Sequence, residues 1–154
     1  GGVMEYASKG ARKSNNYTEN SIIGVLPDYN SENANKFIDI AIPTGFGLAR
    51  NLMLINMANA VMEVGGGSGT LNEISASWQM NKLIIGLQVN GWSEKLCGKA
   101  LDERRNDIIY CAKNAHEAIK LLNSKISYYQ IRKFTGINKS RIKKESLLLA
   151  KKSD

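Results

Sequence analysis

Residues 65–73 read Gly65-Gly66-Gly67-Ser68-Gly69-Thr70-Leu71-Asn72-Glu73, and these types at this spacing suit the gripping of an anion. Glycines permit positive φ and let backbone N–H groups approach a ligand closely. A helix start adds unpaired N–H donors and the positive end of the dipole. Thr70 can cap such a helix or donate its hydroxyl to a phosphate, and Glu73 stands one turn further in. The alternative is a tight turn with no ligand, but four glycines within five residues carry an entropic cost that a plain turn rarely needs. No Lys follows the last glycine, so this is not a Walker loop, and the Gly-x-Gly-x-x-Gly dinucleotide pattern is absent from the run.

A second glycine loop, Pro43-Thr44-Gly45-Phe46-Gly47-Leu48-Ala49-Arg50-Asn51, also leads into a helical pattern. Arg50 opposes the helix dipole there and calls for a partner. A bidentate partner, either a carboxylate or a phosphate, and a structural Arg–Glu pair, with Glu73 as the candidate, are equal readings.

The elements that must position these loops follow from periodicity. The spacing predicts helices at 3–13, 48–57, 71–80, 94–105 and 115–122, and strands at 21–26, 37–42, 60–64, 82–87 and 107–111. Strands separated by helices imply parallel βαβ units, an α/β Rossmann-like sheet flanked by helices. Ligands in such sheets lie beyond the carboxyl ends of the strands, where Gly65–Thr70 falls. Gly1-Gly2 entering a helix suggests a preceding strand, and so an upstream β-α-β portion.

The chain has 154 residues, 43% hydrophobic and 23% charged, which fits one domain with an appendage at 125–154. No run is long enough to span a bilayer, and no secretory signal is visible. Cys97 and Cys111 lack metal-ligand spacing, so no metal site is expected and a reduced, cytoplasmic setting fits. His116, the only histidine, has no visible partner. Trp78 and Met80 read as core or subunit-interface packing, and Trp92 as a loop residue that borders the site or packs beneath it.

The net charge of +7 is uneven. Residues 125–154 hold nine of the 21 basic and two of the 14 acidic residues, which leaves 1–124 neutral. Two short helices, 128–133 and 138–150, around Thr135-Gly136-Ile137-Asn138-Lys139-Ser140 have helix-turn-helix spacing, and Lys139, Arg141, Lys143 and Lys144 could meet nucleic-acid phosphates. The preferred reading of the tail is an amphipathic helix packed on the sheet or on another subunit.

Together, Gly1-Gly2-Val3-Met4-Glu5, Ser8-Lys9-Gly10-Ala11, Gly24-Val25-Leu26-Pro27, Pro43–Asn51 and Gly65–Glu73 resemble the LONELY GUY (LOG) family, in the branch of molybdenum cofactor carriers and related Rossmann-like nucleotide-binding proteins. The LOG loop is Pro-Gly-Gly-x-Gly-Thr-x-x-Glu; Gly65 stands at the Pro, while Gly66, Gly67, Gly69, Thr70 and Glu73 match. Of the LOG motif Met-His-x-Arg-Lys only Arg50 is present; the carrier-like Gly-x-Gly-x-Ala-Arg-Asn fits Gly45–Asn51 better.

The resemblance implies a phosphorylated ligand, a nucleotide or the molybdenum cofactor, with no cofactor required beyond it. The implied ligand-binding set is Gly65, Gly66, Gly67, Ser68, Gly69, Thr70, Gly45, Gly47 and Gly2. Were the chain an enzyme, Glu73 and Arg50 would serve a phosphoribohydrolase cleaving nucleoside 5′-monophosphates. Pairing into a dimer or tetramer is also implied.

Overall fold

The computed structural model describes residues 2–135, in which parallel strands alternate with helices. Helix α1 (Gly2–Arg12) leads to strand β1 (Ile23–Leu26), which pairs in parallel with β2 (Ile40–Pro43). Helix α2 (Arg50–Met57) crosses to β3 (Ala60–Val64). Then come α3 (Ser68–Gln79), β4 (Leu83–Leu87), the single turn α4 (Trp92–Lys95), β5 (Tyr110–Ala112) and α5 (Ala115–Thr135). The second sheet has the order β3-β4-β5, all parallel, with Glu63 opposite Gly86 and Gly86 opposite Cys111. This is the α/β Rossmann-like arrangement that the periodicity implies.

β4 is central, and its run Leu83-Ile84-Ile85 is fully buried because helices cover both faces. Leu83 and Ile85 pack with Ala112, Ala118 and Tyr129 of the α5 side. Ile84 points the other way, onto Ile74 and Trp78 of α3. Burying each such side chain contributes about 1.5–3 kcal/mol. Gly86 has a packing reason: a Cβ there would come 2.7 Å from the Ser93 carbonyl oxygen, so only glycine lets α4 sit against the sheet.

Several elements differ from the periodicity reading. The expected helix at 94–105 is only the turn Trp92–Lys95, because Gly98 takes φ +74° and its N–H donates to the Ile109 carbonyl. The strand expected at 107–111 begins at Tyr110, since the Ile109 N–H is drawn to the Lys99 carbonyl. The strand expected at 37–42 is shifted to 40–43, because Asp39 turns inward. It accepts from the Ile22 amide at 3.0 Å and the Tyr17 hydroxyl at 3.0 Å, and pairs closely with Arg12. Helix α3 begins at Ser68 rather than Leu71, so Thr70 lies inside its first turn and does not cap it. The helices expected at 115–122 and 128–133 are one continuous helix, α5. The second tail helix, 138–150, and with it the helix-turn-helix reading, lies outside the described residues. Among the described residues no helix is long and apolar enough to cross a membrane.

Candidate functional site

One strand, β3, delivers the chain to the first glycine loop, and two positive φ angles turn it. Gly65 has φ +63° and Gly66 φ +85°. A Cβ on Gly66 would lie 1.9 Å from Thr70 Oγ1, so the hydroxyl occupies the space that a side chain would need. At Gly67 and Gly69 a Cβ would meet nothing within 4 Å, and the backbone there is open to solvent.

The amides of this loop divide into two groups. The Gly65 N–H donates to Ser93 Oγ at 2.7 Å, inside the protein. The next five, on Gly66, Gly67, Ser68, Gly69 and Thr70, make no hydrogen bond among the described residues. They open the twelve-residue helix α3, where the first N–H groups have no helical acceptor and the dipole is positive.

The second loop makes a 3-10 turn at Gly47–Ala49 and places Arg50 at the start of α2. Arg50 Nη1 lies 4.0 Å from Glu73 Oε1, and both side chains are mostly buried. That separation is too long for a hydrogen bond, and the Arg50 guanidinium makes none among the described residues. Burial raises the Glu73 carboxyl above its ordinary range, and Arg50 opposes that rise. The loop's neighbour Asn51 is buried, and its amide donates to Asn72 Oδ1 at 3.0 Å, which ties α2 to α3.

A cavity of about 780 Å³ joins the two loops. It opens between Pro27, past the end of β1, and the whole length of β3. Of the residues singled out in the sequence, Gly47, Arg50, Gly66, Gly69, Thr70 and Glu73 line it. Gly65, Gly67, Ser68, Gly45 and Gly2 are not on its wall. Gly45 (φ +67°) is pressed under the Tyr29 ring, 2.1 Å from where its Cβ would be. Gly2 opens α1 with φ +62°, next to the lining residues Val3 and Met4.

Two contributors went unread in the sequence. Ser93, fully buried, accepts from Gly65 and donates to the Leu87 carbonyl at 2.7 Å. Its neighbour Trp92 donates its backbone N–H to the Gly66 carbonyl at 3.1 Å while its ring packs near Ile74 and Trp78. Trp92 is therefore a support beneath the loop. The other is Glu63, buried on β3 and on the cavity wall. An acidic residue in an otherwise apolar strand was the available signal. No group of three or more metal-ligating side chains occurs among the described residues.

A family profile described as the SLOG cluster4 family matches residues 1–119. The chain belongs to the SLOG cluster4 family. This places it in the LOG-like group that the glycine motifs resemble. Among solved structures, it is similar to TM1055, with 30% identity and a TM-score of 0.71 over 79% of this chain and 72% of that one. It is also similar to the molybdenum cofactor binding protein of the phototrophic bacterium Rippkaea orientalis, 35% identical with a TM-score of 0.66 over 80% of this chain and 71% of that one. An uncharacterized protein of Archaeoglobus fulgidus is 35% identical over 88 residues, 57% of this chain. The chain thus spans about half, 55%, of that relative's length.

Proposed function

We propose that this SLOG cluster4 protein binds a phosphorylated small ligand, a nucleotide or a pterin-type cofactor, in the cavity between α2, β3 and α3. The observation that carries the reading is the run of five free amides at Gly66–Thr70, of which Gly66, Gly69 and Thr70 share the cavity wall with Arg50, whose guanidinium makes no hydrogen bond of its own among the described residues. Such donors at a helix start match the oxygens of a phosphate, and Arg50 supplies the positive charge. The cavity is large enough for a nucleotide, and its remaining wall, including Leu48, Leu54, Ile55 and Val61, suits the flat face of a heterocycle. The molybdenum cofactor binding activity named for the Rippkaea orientalis protein agrees with a ligand of this chemistry.

The test is calorimetric titration with AMP, GMP and ribose 5-phosphate. Gly67→Asp places a carboxylate in open space beside the free amides and should abolish binding while leaving the fold intact. Equal binding by the variant would sink the reading.

A phosphoribohydrolase is the second reading, favoured by Glu73 standing on the cavity wall 4.0 Å from Arg50. Cleavage of an N-glycosidic bond develops positive charge on the ribose, which a carboxylate one turn past the phosphate could stabilise. Release of free base from a nucleoside monophosphate, lost in Glu73→Ala, would establish it; binding without release would remove it.

A further inference from the structure

Glu63 is the buried polar group of the cavity that nothing above explains. It is 6% exposed and lies on the cavity wall with Arg50, Thr70 and Glu73. No hydrogen bond or ion pair reaches its carboxyl among the described residues. Among the described residues Ser77 Oγ is the one side-chain polar atom sealed in the protein without a partner, so the largely buried Glu63 carboxyl keeps access to the cavity, where a ligand group can satisfy it. β3 offers no structural reason to keep one, since Val or Ile at this position would continue the apolar strand.

We propose that Glu63 is a specificity-determining residue that reads the amidine edge of the ligand's heterocycle, the ring nitrogen and adjacent exocyclic amino group common to adenine, guanine, cytosine and pterins. The inference rests on the phosphate site proposed above. Glu63 stands on β3 just before the turn at Gly65–Gly66, on the same cavity wall as Gly66, Gly69 and Thr70. Burial, and then the negative charge of Glu73, pushes the Glu63 carboxyl up to about 8. At neutral pH it therefore carries its proton and presents a donor and an acceptor side by side. The O–H donates to the ring nitrogen and the C=O accepts from the amino group. A ring nitrogen is a more basic acceptor than a lactam oxygen, so the acid proton prefers an amidine edge.

Two nucleotide pairs test this: AMP with purine riboside 5′-monophosphate, and GMP with inosine 5′-monophosphate. In each pair the second member lacks only the amino group. The wild-type protein should bind the amino member of at least one pair about tenfold more tightly. Glu63→Leu should erase the preference. Glu63→Gln should keep it, because an amide also offers one donor and one acceptor. Glu63→Met repeats the apolar test in case the Leu variant folds poorly.

Equal affinities within both pairs overturn the proposal. So does a Glu63→Gln variant that loses the preference as fully as Glu63→Leu, since that result marks an ionised carboxylate facing two donors. Ribose 5-phosphate separates the two levels. If it binds while no nucleotide pair shows a preference, Glu63 falls and the phosphate site stands. If neither it nor any nucleotide binds, both fall.

Discussion

The Gly65 amide donates to the Ser93 hydroxyl at 2.7 Å, so the first glycine loop hangs from the segment that follows the neighbouring strand. The same hydroxyl donates to the Leu87 carbonyl, and the Ser93 N–H returns to the Gly65 carbonyl at 3.1 Å. Loop shape is therefore set inside the protein, by contacts that no ligand can compete for.

Ser93→Ala should cost about 1–3 kcal/mol, because the buried Gly65 N–H would lose its acceptor. Urea denaturation measures this directly. The variant should also bind a phosphorylated ligand more weakly, since the turn at Gly65–Gly66 would no longer be fixed. A stability equal to wild type would show that the hydroxyl is dispensable.

Two neighbouring glycines should respond in opposite ways. Gly66→Ala sets a Cβ 1.9 Å from Thr70 Oγ1 at φ +85°, so both the backbone and the Thr70 side chain must move. Gly67→Ala meets nothing within 4 Å at φ −97° and should melt close to wild type. Thermal melts of the two variants side by side decide the matter.

Stability should fall as pH rises from about 4.5 to about 8. Burial and the Glu73 charge hold the folded Glu63 carboxyl near 8, against 4.5 for an ordinary glutamate. The folded state then binds the extra proton in that window, so its advantage is complete below 4.5 and lost as pH passes through 8. Glu63→Gln removes the titration and should be more stable than wild type at pH 8.5 by on the order of a few kcal/mol, with a smaller gap at pH 5. Urea midpoints at the two pH values give the answer, and a gap that does not change with pH would refute it.

Arg105 should be among the most sensitive structural positions. Its side chain is 1% exposed and forms a forked pair with Asp107 at 2.7 and 2.6 Å. It also donates to the Trp78 carbonyl and stacks 4.4 Å from the Trp78 ring centroid. Arg105→Ala removes the buried fork from Asp107 and should cost about 3–5 kcal/mol. Arg105→Lys should recover little, because one ammonium cannot fill a planar fork.

Much of this was legible in the sequence where one signal dominated. Ala60–Val64 and Lys82–Leu87 read as strands because buried parallel strands are nearly continuous apolar runs. The Gly65–Glu73 run and Arg50 were singled out by residue type alone, and Gly66, Gly69, Thr70 and Glu73 of that run share one cavity wall with Arg50 in the fold. The segment 94–108 was misread because its shape depends on distant partners. Arg105 reaches to Trp78 and Tyr129, and Gly98 to Ile109, none of which periodicity can sense. Ser93 and Glu63 escaped for the same reason. A lone serine carries no sign that it will support a loop 28 positions earlier. A glutamate in a strand does not declare which way it faces until the register with β4 is known.

β3 pairs with β4 on one side and borders open space on the other. In a parallel ladder, successive peptide groups point alternately to the two sides. Deuterium uptake along residues 60–64 should accordingly run in a sawtooth, slow and fast at every second amide. The corresponding stretch of β4, flanked by strands on both sides where it meets β5, should label uniformly late.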